Sequence, residues 1–246
     1  MPVSPFFKSK HYKEWEVYFP MCYPNTYLKL NEMANFFQIT ASEHAILGGV
    51  GFQDLQEYDQ SWVLSRMRIE IEEMPIWLNK IEVNTWIEEL RGAKSTRNFT
   101  IEREGKKLVG VSSLWAIFNT KTRRPDLLQI DTSHIERFKD LHATEQPNSV
   151  IDLTPEATEI YEYKVQFSDI DILFHVNNTR YLEWCLNYID PKIVLENKIK
   201  ALNLNFIKEV SLGDVVTIEK VVLDNAFLFK VIKEEKICFA CLLELR

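Results

Sequence analysis

Residues 161–189 read YEYKVQFSDIDILFHVNNTRYLEWCLNYI, and within them the hydrophobic pattern changes from a period of two to a helical period. The first seven residues alternate between apolar and polar, which predicts a strand with one apolar face. From Tyr181 to Ile189 the apolar residues recur at helical spacing, and Asp190-Pro191 ends the run. The sequence therefore predicts a strand that leads through a polar corner into a helix.

The polar corner, DIDILFHVNN at residues 169–178, concentrates side chains that can accept or donate protons. Its polar members are Asp169, Asp171, His175, Asn177 and Asn178. A helix N-terminus also leaves backbone N–H groups without intrahelical partners and favours negative charge. Because acid/base groups and free N–H donors meet here, we predict that the corner is the active site.

The composition excludes several classes of protein. The chain has 246 residues, 46% hydrophobic and 26% charged, which is typical of one large or two small globular domains. It has 7 glycines and neither a G-x-G-x-x-G nor a Walker A run, which argues against a nucleotide-binding fold, and we expect no cofactor. A net charge of −7 argues against general nucleic-acid binding. No apolar run approaches the roughly 18 residues of a membrane span.

The termini and cysteines indicate the compartment. Residues 1–5 lack the charged and apolar regions of a signal peptide. Cys238 and Cys241 form a C-x-x-C without a second ligand pair, and they lie in an alternating apolar segment. This setting favours buried thiols over a metal site. We expect a reduced, cytoplasmic protein with no metal.

The order of the elements indicates an internal repeat. The first half is predicted to contain a strand at Glu14–Phe19, a helix at Leu28–Ala45 and four strands near residues 67–71, 80–87, 95–103 and 108–119. The second half repeats this order, with a strand at 161–167, a helix at 178–187 and strands near 202–206, 215–223, 227–233 and 236–245.

This repeat predicts the domain organisation. We expect an N-terminal domain at residues 1–130, a linker at 131–158 with a short helical piece around Ser133–Leu141, and a C-terminal domain at 159–246. A helix followed by antiparallel strands makes an α+β unit, in which a curved sheet wraps a long helix. Two such units predict a pseudo-dimer whose sheets join edge to edge, which would cover open strand edges.

Several motifs resemble a known family. The corner together with HVNNTRYLEW at 175–184 resembles the signature of hot-dog-fold thioesterases. Further similar motifs are EVNTW at 82–86, SLWAIFNTKTRR at 113–124 and FIKEV at 206–210. Over nearly its whole length the chain resembles the acyl-acyl-carrier-protein (acyl-ACP) thioesterases of plants and bacteria. The resemblance implies two tandem hot-dog domains, hydrolysis of acyl-ACP to fatty acid and ACP, and ACP as the partner.

The resemblance also implies site residues. The matches to the family's catalytic residues are Asp171, His175 and Glu209, whereas the family's asparagine falls at Leu173. Hydrolysis needs an activated water or a carboxylate nucleophile, and donors for an oxyanion. Glu209 or Asp171 would take the proton from water, and His175 would orient that water or carry the proton onward. Backbone N–H groups near Asn178 would donate hydrogen bonds to the oxyanion.

Purely structural roles are the alternative to several of these assignments. Asp169 is a good turn acid, and the side chains of Asn177 and Asn178 are good helix N-caps, although we also name both asparagines as substrate-binding residues. We expect His44 to be a packed or capping histidine. The corner at residues 20–25 mirrors the active-site corner without an acid or a histidine, which predicts one active site per chain and an acyl pocket shaped by the first half.

The acidic ACP should dock on a local basic patch. The candidates are Lys121, Arg123 and Arg124, with Lys94 and Arg97 as neighbours, and the alternative interpretation is a solvated run at the end of a strand. Other functions stay open: an acyl-CoA thioesterase, a hot-dog dehydratase, which the H-V-N-N run fits less well, and a non-catalytic acyl-thioester binder. The pseudo-dimer either stands alone or pairs again as a homodimer.

Overall fold

The computed structural model describes residues 3–246, whose strands form one eleven-stranded antiparallel sheet. The strands of the first half are β1 (Lys10–Glu16), β2 (Gln60–Ile71), β3 (Lys80–Arg91), β4 (Lys94–Arg103), β5 (Lys106–Asn119) and β6 (Arg124–Pro125). Those of the second half are β7 (Glu159–Lys164), β8 (Ile199–Phe206), β9 (Val215–Leu223), β10 (Ala226–Lys233) and β11 (Lys236–Leu245).

The helices are α1 (Leu30–Leu47), α2 (Phe52–Gln56), α3 (Asn178–Leu186) and α4 (Pro191–Leu195). Short 3-10 turns lie at Phe19–Met21 and Phe167–Asp169, each just before a corner that leads toward a helix. No helix in the described range 3–246 has the length and hydropathy to cross a membrane.

The two halves of the sheet have the same strand order. The strand order is β1-β3-β4-β5-β2-β8-β11-β10-β9-β7, with β6 paired to β5. From each outer edge to the centre, the order is β1-β3-β4-β5-β2 in the first half and β7-β9-β10-β11-β8 in the second, so the two halves correspond strand by strand. The halves meet where β2 pairs with β8, from Arg66 opposite Asn205 to Glu70 opposite Ala201. This pairing is the edge-to-edge join that the repeat predicted, and it leaves neither central strand with an open edge.

Strand alternation decides which residues face the helices. Along β4, Phe99 and Ile101 are fully buried, and Phe99 packs on Phe37 of α1 with ring centroids 5.3 Å apart. Residues of the other parity, such as Asn98, face the opposite side of the sheet. Burial of such an aromatic side chain contributes about 2–3 kcal/mol, so this helix–sheet contact is a principal part of the first-half core.

The segment predicted as a linker crosses the outer face of the sheet. The carbonyl oxygen of Ala143 lies so close to Gly110 of β5 that a Cβ on this glycine would be 2.0 Å from it. The side chain of Asn98 accepts from the Ala143 N–H at 3.2 Å, and Asn205 accepts from the Ile151 N–H at 3.0 Å. Residues 131–158 therefore form a strap bound to both halves rather than a loose tether.

Two expectations about helices are wrong. The helical piece expected around Ser133–Leu141 is absent from the described structure, where that segment contains only turns. The second half also lacks a long helix. Its α3 has 9 residues, because Pro191 cannot continue the hydrogen-bonding pattern and begins the separate α4 instead, with the Asp190 side chain accepting from the N–H of Lys192. Only α1, with 18 residues, is the long helix predicted for each half.

Candidate functional site

The corner between β7 and α3 is a tight turn closed by its own backbone. The N–H of Asp171 donates to the carbonyl of His175 at 2.9 Å, and the N–H of Phe174 donates to the carbonyl of Asp171 at 3.0 Å. Phe174 has φ 61°, in the left-handed region that side-chain-bearing residues seldom occupy. The turn thus presents the carboxylate of Asp171 and the imidazole of His175 on one short loop.

Glu209 reaches this corner from the loop after β8. The N–H of Val176 donates to the carbonyl of Val210 at 2.8 Å, and His175 is bridge-paired with Ser211. These contacts hold the two segments side by side, and Oε2 of Glu209 lies 3.4 Å from Nε2 of His175. Two of the three predicted catalytic side chains therefore meet, although they are 34 residues apart in sequence.

Arg123 joins the same cluster from the first half. Its Nη2 pairs with Oε2 of Glu209, the oxygen that faces His175, and its guanidinium lies 5.5 Å from the centroid of the Phe118 ring. Arg123 has φ 58°, so its backbone is held in the left-handed region just before β6. Arg124 is exposed. The two arginines that the sequence grouped as one patch are thus in different settings.

Asp171 lies at the mouth of a cavity that belongs to the first half. The cavity has a volume of ≈ 330 Å³ and lies between α1 and the sheet. Its lining includes Gln38, Ala41 and Trp115 from the first half, and Asp171 and Leu173 from the corner. This volume lies at the lower end of the range for small-molecule sites.

Leu173 has a defined place in this mouth. Its side chain lines the cavity, and its N–H donates to Oδ1 of Asp171 at 2.8 Å. The hydrogen bond holds the Asp171 carboxylate against the turn. An apolar side chain therefore stands where the family resemblance implies an asparagine.

Asp169 and Asn177 have structural hydrogen-bond partners, as the alternative of purely structural roles predicts. Asp169 is buried and accepts from the hydroxyl of Tyr163 and the N–H of Gln166, both at 2.8 Å. Oδ1 of Asn177 caps α3 by accepting from the N–H of Thr179 at 3.0 Å. Asn178, the first residue of α3, is half-buried beside this cap.

Tyr181 is a member of the site that the sequence reasoning did not assign. It is buried on α3 and packs on Phe239 with ring centroids 5.0 Å apart. Burial raises its pKa well above the usual value, and the nearby Cys238, Glu209 and Asp171 add to the rise. Its hydroxyl therefore stays protonated beneath the corner. The signal available in sequence was its position in the first turn of the predicted helix.

The mirrored corner of the first half repeats the backbone of the corner at residues 169–178. The N–H of Tyr23 donates to the carbonyl of Tyr27 at 2.8 Å, and Thr26 has φ 67°. Tyr23 and Tyr27 therefore occupy the places of Asp171 and His175. The gap beside them is only ≈ 10 Å³. The described structure thus has one corner with acid/base groups and one closed by tyrosines.

The cysteines of the C-x-x-C are buried thiols on β11. Burial raises the pKa of Cys238, and it raises the pKa of Cys241 to about 12. In the described range 3–246 no group of three or more His, Cys, Asp or Glu side chains is arranged to hold a metal ion.

One correction concerns the basic patch. Arg97, expected beside Arg123 and Arg124, is only 7% exposed and lines the cavity instead. Arg97 is two residues before Phe99 on β4, so both side chains lie on the face of the sheet that packs against the helices. The expectation of an exposed basic patch did not consider which face of the strand Arg97 occupies.

Family models cover most of the chain. The acyl-ACP thioesterase N-terminal domain matches residues 8–135, and the acyl-ACP thioesterase C-terminal domain matches residues 153–246.

Curated relatives agree with these models. A palmitoyl-acyl carrier protein thioesterase of Cuphea hookeriana is 25% identical over 73% of this chain and 47% of its own length. Oleoyl-acyl carrier protein thioesterase 2 of Arabidopsis thaliana is 26% identical over 76% of this chain and 56% of its own. The chain spans about half the length of the curated relatives it matches.

Solved structures match end to end. An acyl-ACP thioesterase from Bacteroides thetaiotaomicron has a TM-score of 0.89 at 26% identity, covering 97% of this chain and 98% of that one. The 12:0-ACP thioesterase from Umbellularia californica matches in fold, with a TM-score of 0.78 at 19% identity over 98% of each chain. The large antiparallel sheet with few helices fits the hot-dog fold. The chain therefore belongs to the acyl-ACP thioesterase family.

Proposed function

We propose that the protein hydrolyses the thioester of fatty acyl-ACP to a free fatty acid and ACP. One observation carries the proposal: the cavity built by the first half has its mouth at Asp171 of the second half, in the corner where His175 meets Glu209. An acyl chain in that cavity would bring its thioester to the acid/base groups. Membership of the thioesterase family supports the same reaction.

Two tandem hot-dog domains divide this work. The N-terminal domain, residues 1–130, shapes the acyl cavity, the strap at 131–158 connects it, and the domain at 159–246 supplies the catalytic residues. The repeated strand order and the single shared sheet support this division. We propose a cytoplasmic setting, in line with the reduced thiols Cys238 and Cys241.

Proton transfer in this proposal uses Glu209 and His175 as a pair. Glu209 takes a proton from water, directly or through His175, and the hydroxide adds to the carbonyl carbon to form a tetrahedral oxyanion. Collapse of this intermediate breaks the carbon–sulfur bond, and the proton passes to the departing thiolate, so acid and thiol are the products. Asp171 at the cavity mouth orients the water. Arg123 positions Glu209 through their ion pair.

The oxyanion is met at the start of α3. Asn177 accepts from the N–H of Thr179 with its side chain and from the N–H of Arg180 with its carbonyl. This leaves the N–H of Asn178 available for the oxyanion, at the positive end of the helix. Asn177 and Asn178 thus contribute to substrate binding through the helix start rather than through their amide groups.

ACP is the preferred carrier in this proposal. Arg124 and Lys121, both exposed, form the basic docking patch for the acidic carrier, with Arg123 engaged at Glu209. Acyl-CoA is the alternative carrier, because the corner acts only on the thioester. The non-catalytic binder is the alternative of another class, and the apolar Leu173 at the mouth is the observation that favours it.

The test is a panel of acyl-ACPs and acyl-CoAs of matched chain length, with release of free thiol as the signal. We expect turnover that is faster with acyl-ACP, and a loss of about 10² or more in kcat for Glu209→Gln. Tight binding of acyl-ACP without thiol release would overturn hydrolysis in favour of the binder. Equal kcat/KM for both carriers would overturn the preference for ACP.

A further inference from the structure

The acyl cavity contains a buried cation that the proposed reaction does not use. Arg97 lines the cavity from β4 and is 7% exposed. Its Nη1 donates to Nδ1 of His44 at 2.8 Å and to the hydroxyl of Thr85 at 3.2 Å. Both acceptors are neutral. The Thr85 hydroxyl carries no charge, and the pKa of His44 is lowered to about 3 by burial, by the charge of Arg97 and by the nearby His11, although the hydrogen bond to the Lys8 carbonyl acts in the opposite direction.

In the described part of the chain, residues 3–246, no carboxylate pairs with this charge. Among residues 3–246, Arg97 forms no ion pair, whereas the other buried arginine, Arg68, pairs with both Glu70 and Glu244. Burial lowers the pKa of Arg97 to about 10, which still leaves the guanidinium charged at neutral pH. A buried charge without a partner is costly, and arginine presents several donors in a planar fork that suits oxygen acceptors. The unused donors of Arg97 therefore favour an oxygen-bearing ligand.

Arg97 lies deep in the cavity rather than at the thioester. Gln38 of α1 marks the mouth, since its Nε2 lies 3.4 Å from Oδ1 of Asn177 at the start of α3. His44, which contacts Arg97, is six residues further along the same helix. At 1.5 Å per residue, the Arg97 contact is about 9 Å along the helix axis from the mouth. An oxygen on the carbon atoms next to the thioester would not reach it.

We infer that the cavity accepts acyl chains that carry an oxygen acceptor, a hydroxyl or a carboxylate, toward their distal end, and that Arg97 binds this oxygen. The inference rests on the proposed function, since it names the substrate class of the same site. Ser42 and Ser95 also line the cavity and supply polar surroundings for such a group. A methyl-ended chain would instead leave the guanidinium facing hydrocarbon.

Binding, measured apart from turnover, tests the inference. The probes are four non-hydrolysable acyl analogues of equal chain length, in which a methylene replaces the thioester sulfur. Three of them end in a methyl, a hydroxyl or a carboxylate group, and the fourth carries its hydroxyl at carbon 3. Calorimetry should find one of the two distally oxygenated analogues bound about tenfold or more tighter than the methyl-ended and 3-hydroxyl ones. The carboxylate and hydroxyl arms identify which oxygen group is preferred.

Variants separate Arg97 from the rest of the protein. Arg97→Met should abolish the preference and strengthen binding of the methyl-ended analogue, while Arg97→Lys should keep part of it. Arg68→Met is the matched control. This buried arginine pairs with Glu70, which binds the backbone of the strap on the outer face of the sheet, so the substitution should leave the preference unchanged.

Two results would overturn the inference: wild-type protein that binds the methyl-ended analogue as tightly as both oxygenated ones, and a preference that survives in folded Arg97→Met. The first needs no variant, so a failure of Arg97→Met to fold leaves the test decisive. Failure of the proposed reaction is a distinct outcome, because it would appear as absent thiol release while the binding preference remained.

Discussion

Arg123 and Arg124 are neighbours in sequence, and their different contacts predict different kinetic effects. Arg123 pairs with Glu209, whereas Arg124 is exposed beside it. We would replace each arginine by methionine, which keeps most of the stem and removes the charge. Arg123→Met should lower kcat on every thioester, because Glu209 loses one of its two partners. Arg124→Met should raise KM for acyl-ACP alone.

The size of the Arg123 effect follows from its exposure. The side chains of Arg123 and Glu209 are 55% and 39% exposed, so solvent screens their attraction. Pairs of this kind contribute about 0.2–1 kcal/mol. If that energy serves to position Glu209 for proton transfer, its loss lowers kcat by up to about fivefold. Loss of Glu209 itself would cost about 10² or more, so the two effects are separable.

The assay compares acyl-ACP with a small acyl thioester at several salt concentrations. Arg123→Met should show the same fall in kcat on both substrates, and Arg124→Met should change only KM for acyl-ACP, with a weaker effect at high salt. Melting temperatures of both variants control for folding. If Arg123→Met keeps full kcat on the small thioester and changes only KM for acyl-ACP, Arg123 is a docking residue and the positioning role is wrong.

Five further substitutions test the remaining assignments. Asp171→Asn and His175→Ala should each lower kcat by about 10² or more with little change in melting temperature, and full activity in folded His175→Ala would refute its role. Asp169→Ala should instead lower the free energy of unfolding by about 3 kcal/mol in urea titrations, because three hydrogen bonds to a buried carboxylate are lost. Leu173→Asn should change kcat by less than about tenfold, and a gain of about 10² would indicate an impaired wild-type site. His44 has a pKa of about 3 in the folded protein and about 6.5 in the unfolded chain. As the pH falls between these values, the unfolded state binds a proton that the folded state does not, so the protein loses stability. His44→Gln removes this group, and the variant should therefore lose less stability on acidification than the wild type. Urea unfolding of wild type and this variant between about pH 6.5 and 4 should differ in slope by at most about 1.4 kcal/mol per pH unit.

Local pattern was sufficient where an apolar run is bounded by turns. The predicted strands at residues 215–223 and 236–245 coincide with β9 and β11, because apolar residues dominate both runs and turns flank them. Strands that begin with polar residues, such as β2 at Gln60, were placed too short. In this part of the sheet the strap covers one face and the helices cover the other. A period of two in the sequence does not show which residues face the strap and which face the helices.

The site depended on information that spacing does not carry. The corner residues 169–178 are contiguous, so their grouping was visible in sequence. Glu209 joined them only through the family resemblance, and nothing local indicated that Arg123 would reach it from the other half. Arg97 was assigned to the surface because a charged residue is usually solvated. Its burial follows from strand parity and from the neutral acceptor His44 on α1.

The two corners explain why one chain needs both halves. Their backbones make the same hydrogen bonds, yet Tyr23 and Tyr27 close one while Asp171 and His175 equip the other. The equipped corner lies at a cavity formed by α1, the long helix, which the shorter α3 of its own half does not provide. In the proposed reaction, the first half holds the acyl chain and the second half transfers the proton. The two halves are joined through β2 and β8 and through the Arg123–Glu209 pair. A duplicated fold that was symmetric in both corners would need two long helices and two open cavities. In residues 3–246 one corner is closed and the other opens on a cavity, and this asymmetry is why we propose a single site for the chemistry.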